Sequence, residues 1–110
     1  MAYDEDLEAR IREVLADQTD VTERKMFGGI AFMVGGNICC GVIGDDLMVR
    51  LGAEAADEAL DRPHTRPFDF TGRPSKGAVF VEPGGTGADA ELRDWVERGL
   101  AFVATLPPKS

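Results

Sequence analysis

The sequence predicts an α+β domain of two layers, an antiparallel sheet with its helices mostly on one face, in the order α-β-β-β-α-β-α. Three observations carry this reading. An amphipathic stripe opens the chain, a second one closes it, and between them lie short apolar runs divided by Gly-Gly and Asp-Asp turns. A length of 110 residues suits one domain, 1–110, with a single core and no need of disulfide staples.

The opening helix is expected from Asp4 to Asp17. Leu7, Ile11, Val14 and Leu15 recur at helical spacing, and Asp4, Glu5 and Asp6 sit where the helix dipole favours negative charge. The polar stretch Gln18–Glu23 is expected to end it. From Arg24 to Gly52 the pattern reads strand, Gly35-Gly36 turn, strand, Gly44-Asp45-Asp46 turn, strand. The first of these strands is expected to run through Met26-Phe27-Gly28-Gly29 to Val34. It is apolar on both sides, Met26, Ile30, Phe32 and Val34 against Phe27, Ala31 and Met33, so it should be covered on both sides by helices or by a second subunit. In the third strand Leu47, Val49 and Leu51 alternate with Met48 and Arg50, which predicts one wet face.

A short helix is expected over Ala53–Arg62, stopped by Pro63. Residues His64–Lys76 read as irregular, and Gly77–Glu82 as a fourth strand closed by Pro83-Gly84-Gly85. The last helix is expected from Asp89, as N-cap, to about Thr105. Leu92, Trp95, Val96, Phe102, Val103 and Leu106 form its apolar stripe. Gly99 lies in that stripe, which predicts close approach of a neighbouring element, since glycine costs about 1 kcal/mol against alanine in a helix.

The net charge is −8, and eight of the twenty carboxylates fall within residues 1–23. Nucleic-acid affinity rests on neutralising phosphates with Lys and Arg, so direct nucleic-acid binding is not expected of so acidic a chain. No apolar run is long enough to span a bilayer, and the acidic start resembles neither a secretory signal nor a transit peptide. The expected compartment is the cytoplasm. Cys39 and Cys40 are adjacent in an apolar run, and strand neighbours point to opposite faces, so they are expected to be buried thiols and not a disulfide.

Together, Lys25-Met26-Phe27-Gly28-Gly29, Phe32 with Gly36, Leu47-Met48-Val49-Arg50, Pro67-Phe68, Glu82-Pro83, and the closing helix with Leu92 and Trp95 form an ordered set. In this order they resemble the N-terminal domain of the TfoX/Sxy family of bacterial competence regulators, over roughly residues 8 to 105. The resemblance implies a two-layer α+β domain. It also implies a non-enzymatic role as a coactivator in transcription of DNA-uptake genes. Full-length regulators of that family add a helical C-terminal domain, so a stand-alone N-terminal domain is expected here. The chain departs from the family pattern at Ala78–Val81, where a Tyr-rich segment is common, and at Pro83–Gly87.

Catalytic chemistry has little to stand on. The chain has one His, with no third group evident to orient it, and its glycine pairs lack the P-loop spacing. No catalytic residue, metal site or cofactor is expected. The doubly apolar strand makes Met26, Phe27, Gly28, Gly29, Phe32 and Met33 the expected interaction surface, for a protein partner or a homodimer. Sign reverses between Arg62 and Lys76, where Arg62, His64, Arg66, Arg73 and Lys76 form a candidate anion-binding loop. Three functions therefore stand open: an interaction module acting by self-association or on a protein partner, a regulator acting on nucleic acid indirectly, and a small-ligand or anion-binding domain, or a minor enzyme, using the basic loop 62–76 with His64.

Overall fold

The computed structural model describes residues 3–26, 28–68 and 75–107, the side chains of Ser75 and Lys76 excepted. Helix α1 is Glu5–Val14, continued by a 3-10 turn over Leu15–Asp17. Four strands follow, β1 Val21–Met26, β2 Gly29–Val34, β3 Asn37–Ile43 and β4 Asp46–Arg50. Then come α2 Ala53–Ala59, β5 Thr65–Phe68, β6 Ser75–Val81, a 3-10 turn Pro83–Gly85, and α3 Asp89–Val103. The six strands form one sheet in the order β1-β2-β3-β4-β6-β5, each neighbouring pair antiparallel. The α+β architecture is as expected, with two more strands than the sequence shows.

Both additional strands are edges. β1 carries Thr22, Glu23, Arg24 and Lys25, all exposed, in place of the loop expected from its polarity. It pairs along its whole length with β2, from Val21 opposite Val34 to Met26 opposite Gly29. Charged side chains suit an edge strand because they discourage further pairing. The expected single strand through Met26–Val34 is thereby corrected to a hairpin, with Gly28 at φ +75° in the turn. β5 contains Pro67, which lacks a backbone N–H and is tolerated at the sheet's other edge.

The helices cap themselves with what the sequence supplies. Asp4 accepts from the amides of Asp6 and Leu7 at 3.0 and 3.1 Å, closing the start of α1. α3 begins one residue differently from the expectation. Ala88 is the cap position, its amide donates to Glu91 at 3.1 Å, and Asp89 instead accepts from Arg10 of α1. α2 is shorter than expected and ends at Ala59.

One core fills the space between the sheet and its helices. Leu7 and Ile11 of α1, Leu15 of the 3-10 turn after it, and Leu92, Trp95, Val96 and Val103 of α3 pack on Ile30, Phe32, Val42, Leu47, Val49, Val79 and Val81. Gly99 meets the sheet most closely. A Cβ there would lie 3.0 Å from the Cys39 carbonyl oxygen and 3.1 Å from both Cys39 Sγ and Val49 Cγ2, which accounts for the glycine.

The cysteines depart from strand alternation. Phe32 pairs with Cys40 but Met33 pairs with Ile38, so Cys39 is an extra residue in β3 and forms a bulge. The bulge turns both side chains to the helix side, where both are fully buried. A hydrogen bond with Cys39, together with burial, pushes the Cys40 thiol pKa well up. Iodoacetamide at pH 8 should therefore leave both thiols of the native protein unlabelled and modify both in urea, read by intact mass.

Gly29 lies against the backbone of β3, where a Cβ would collide with the Val42 carbonyl oxygen. Gly29→Ala should destabilise the fold by about 2 kcal/mol, as overpacking against rigid backbone does, seen as a lower urea midpoint.

Candidate interaction surface

Alternation along the strands leaves the second sheet face without a helix among the described residues. The register sets its rows. Across the middle run Arg24, Ala31, Gly41, Met48, Phe80 and Arg66, each paired with the next. On one side lie Met33 and Ile38, then Arg50 opposite Ala78, and Phe68. On the other lie Ile43 and Asp46, paired with each other, and Glu82. Met48, Ala78 and Phe80 form a second apolar cluster, with Ile38, Ile43 and Phe68 half-buried around it.

Met48, at 4% exposure, corrects the wet face expected of β4. Long neighbouring side chains cover this face in part. Phe68 and Phe80 lie 4.9 Å apart at their ring centres, and the Arg66 guanidinium sits 4.2 Å from the Phe80 centroid.

The expected interaction residues divide. Met33 lies half-buried on the helix-free face. Met26 is half-buried at the end of β1, and Gly28 is exposed in the turn. Phe32 is a correction. At 0% exposure it belongs to the helix-side core, because it alternates with Met33, and it supports the surface from beneath. Gly29 is likewise buried against β3. Phe27 lies outside the described residues. Ile38, Ile43, Met48, Phe68 and Phe80 belong to the face but were absent from the expectation. Their alternate spacing was the available signal, and it needed the sheet order to bring four strands together.

Of the candidate anion loop, the described members Arg62, His64 and Arg66 do not converge on one site. Arg62 turns towards α3, 4.4 Å from the centre of the Trp95 ring and 3.5 Å from Asp94. Hydrogen bonding from Arg98, aided by Arg62, holds the Asp94 carboxyl below its usual range. Arg66 points to the opposite side of the sheet, paired with Asp46 and 3.7 Å from Glu82. His64 adopts φ +66°, and its ring lies against the backbone of Gly84, leaving no space for a Cβ. Arg73 and the Lys76 side chain lie outside the described residues. The two arginines in view thus already hold carboxylates, on different faces.

Two concavities lie among the described residues. A groove of about 330 Å³ is lined by residues including Leu51, Gly52, Glu58 and Phe102, and a cleft of about 90 Å³ by residues including Arg10, Glu13, Asp89 and Arg93. Neither lining contains His, Cys, Ser or Tyr, and no metal-binding group of three or more His, Cys, Asp or Glu occurs among the described residues. No helix among them is long and apolar enough to cross a membrane.

A polar clip fixes the β1 edge to α1. Arg12 donates to both carboxylate oxygens of Glu23, at 2.8 and 2.7 Å, and to Glu8 at 3.1 Å, while Tyr3 donates to Glu8 at 3.0 Å. These contacts raise the Arg12 pKa, and the hydrogen bonds from Arg12 lower that of Glu23.

The molecule is thus a small α+β domain with one helix-covered sheet face and one apolar, helix-free face. The family model for the TfoX N-terminal domain matches residues 13–103, and the chain belongs to that family. No curated protein and no solved structure matches it.

Because the folded Glu23 pKa is depressed, its contribution to stability is present above the unfolded value of about 4.3 and is lost as pH falls through the folded value. Glu23→Gln should lower the urea midpoint slightly at pH 7, and the difference from the wild type should vanish at pH 2–3.

Proposed function

We propose that the chain is a small non-enzymatic interaction domain of regulatory type, acting through its helix-free sheet face by self-association or on a protein partner. The observation that carries this reading is that face itself. Met33, Ile38, Ile43 and Phe68 remain half-buried over Met48 and Phe80, with no helix covering them among the described residues. Apolar residues grouped in this way are what an association surface requires. The TfoX N-terminal domain family supports a competence-regulator-like role in transcription. The net charge of −8 favours action through protein contacts in the cytoplasm over direct contact with nucleic acid.

The experiment is complementation. Transcripts are compared in cells lacking the gene, cells restored with the wild-type chain, and cells restored with Met33→Asp/Ile38→Asp, the variant's fold being checked by circular dichroism. Deletion should change a defined set of transcripts that the wild type restores and the folded variant does not. An unchanged transcript profile on deletion would overturn the regulatory reading. Full restoration by the variant would overturn the surface.

A further inference from the structure

We infer that the open edge of β1 is a docking site for an extended acidic segment of a partner protein, which adds there as a further strand of the sheet. The site is distinct from the helix-free face and does not depend on it. Hydrogen-bond phase decides what each edge of the sheet can accept. The Gly35 amide donates to the Asp20 carbonyl at 3.1 Å, which fixes the phase of the β1–β2 ladder. Hydrogen-bonded and non-hydrogen-bonded pairs alternate along an antiparallel ladder. Thr22, Arg24 and Met26 therefore bond to β2, while the amides and carbonyls of Val21, Glu23 and Lys25 point outward. Among the described residues nothing engages those outward backbone groups.

The opposite edge cannot accept a full ladder. There the Glu82 amide donates to the His64 carbonyl at 2.7 Å, so Thr65 and Pro67 are the outward residues of β5, and Pro67 has no N–H to offer. β1 contains no proline, and it pairs with β2 without a bulge. A row of unpaired backbone donors and acceptors is a template for another strand. Main-chain hydrogen bonds then supply affinity, and side chains supply specificity.

Charge names the occupant. Arg24 and Lys25 are exposed and make no ion pair among the described residues, in a chain of net charge −8. β2, Gly29–Val34, lies on their inner side and carries no charged residue, and Glu23 is already held by Arg12. Neighbours on a strand point to opposite faces, so the two cations call for two adjacent carboxylates on the added strand, one on each face.

A second copy of β1 does not meet this need. Added antiparallel about a twofold axis perpendicular to the sheet, it keeps each face on its own side and sets one residue opposite itself. Centred on Glu23, Arg24 or Lys25 this opposes like charges, and centred on Thr22 it overlaps only residues 21–23. The charges that discourage self-pairing thus select a strand of opposite charge.

The test is amide hydrogen exchange of the full chain, read by NMR with a capped peptide, Val-Glu-Glu-Thr-Thr-Val, whose glutamates fall opposite Lys25 and Arg24 in the antiparallel register. At millimolar peptide, exchange at Val21, Glu23 and Lys25 should slow several-fold, while Thr22 and Arg24, already bonded to β2, should change little. Arg24→Glu/Lys25→Glu, its fold checked by circular dichroism, should bind roughly 10-fold more weakly and prefer a peptide with lysines in place of the glutamates. Methylating the peptide amides that face β1 should abolish binding, and methylating the alternate amides should not. Unchanged exchange at Val21, Glu23 and Lys25 would overturn the site. Equal binding of the lysine peptide by the wild type would overturn the acidic occupant, and indifference to which amides are methylated would overturn strand addition. Protection of the same amides that rises with protein concentration, without peptide, would replace the partner with a second copy.

Discussion

The contact between α3 and the centre of the sheet organises the rest of the molecule. At Gly99 the helix rests on the β3 backbone and on Val49, so close that a methyl group would press on Cys39 and Val49. Leu92, Trp95, Val96 and Val103 bury their side chains around that contact, and α1 with the 3-10 turn after it fills the remaining space with Leu7, Ile11 and Leu15. Burial on this scale drives folding, at roughly 25 cal/mol per Å² of apolar surface removed from water. The Cys39 bulge belongs to the same arrangement, since it directs two adjacent residues into the helix side where strict alternation would bury one.

Placing α1 and α3 against one side of the sheet defines the other side by exclusion. On that face Met48, Ala78 and Phe80 are buried with no helix over them among the described residues. Arginine supplies part of the cover. Arg66 lies over Phe80, with its charge held by Asp46 and Glu82. Arg62 covers Trp95 in the same way from the helix side, next to Asp94. These arginines act as covers whose guanidinium groups lie over aromatic rings while paired with carboxylates. Arg62 and Arg66 of the basic loop thus become part of the fold's own packing. Around the buried Met48, Ala78 and Phe80, the side chains of Ile38, Ile43 and Phe68 stay half-buried.

This arrangement suits a domain whose action lies in contact. The two concavities described above have no His, Cys, Ser or Tyr in their linings, and the family to which the chain belongs is of regulatory type. Arginine–carboxylate clips hold the periphery: Arg12 ties the edge strand to α1 through Glu23, and Arg10 ties α1 to the start of α3 through Asp89.

Much of the fold was legible in the sequence because its signals are local. The stripe of Leu7, Ile11 and Leu15, the positive-φ glycines Gly35 and Gly36, and the glycine within the last helix each specify geometry through their own few neighbours. The family resemblance was legible for the same reason, as an ordered set of short motifs. The edge strands were not. Val21–Met26 is polar and Thr65–Phe68 contains a proline, and each is a strand only because a neighbouring strand supplies its hydrogen bonds. The candidate surface was half legible. Met33 was found, but Phe32 beside it falls on the other face, and Ile38, Met48 and Phe80 join the patch only through the sheet order. The sequence by itself determined which segments are apolar and where the chain turns, because periodicity and turn chemistry act over a few residues. Only the tertiary structure decided which apolar side received helices and which arginine found a carboxylate, because those outcomes depend on contacts between residues distant along the chain.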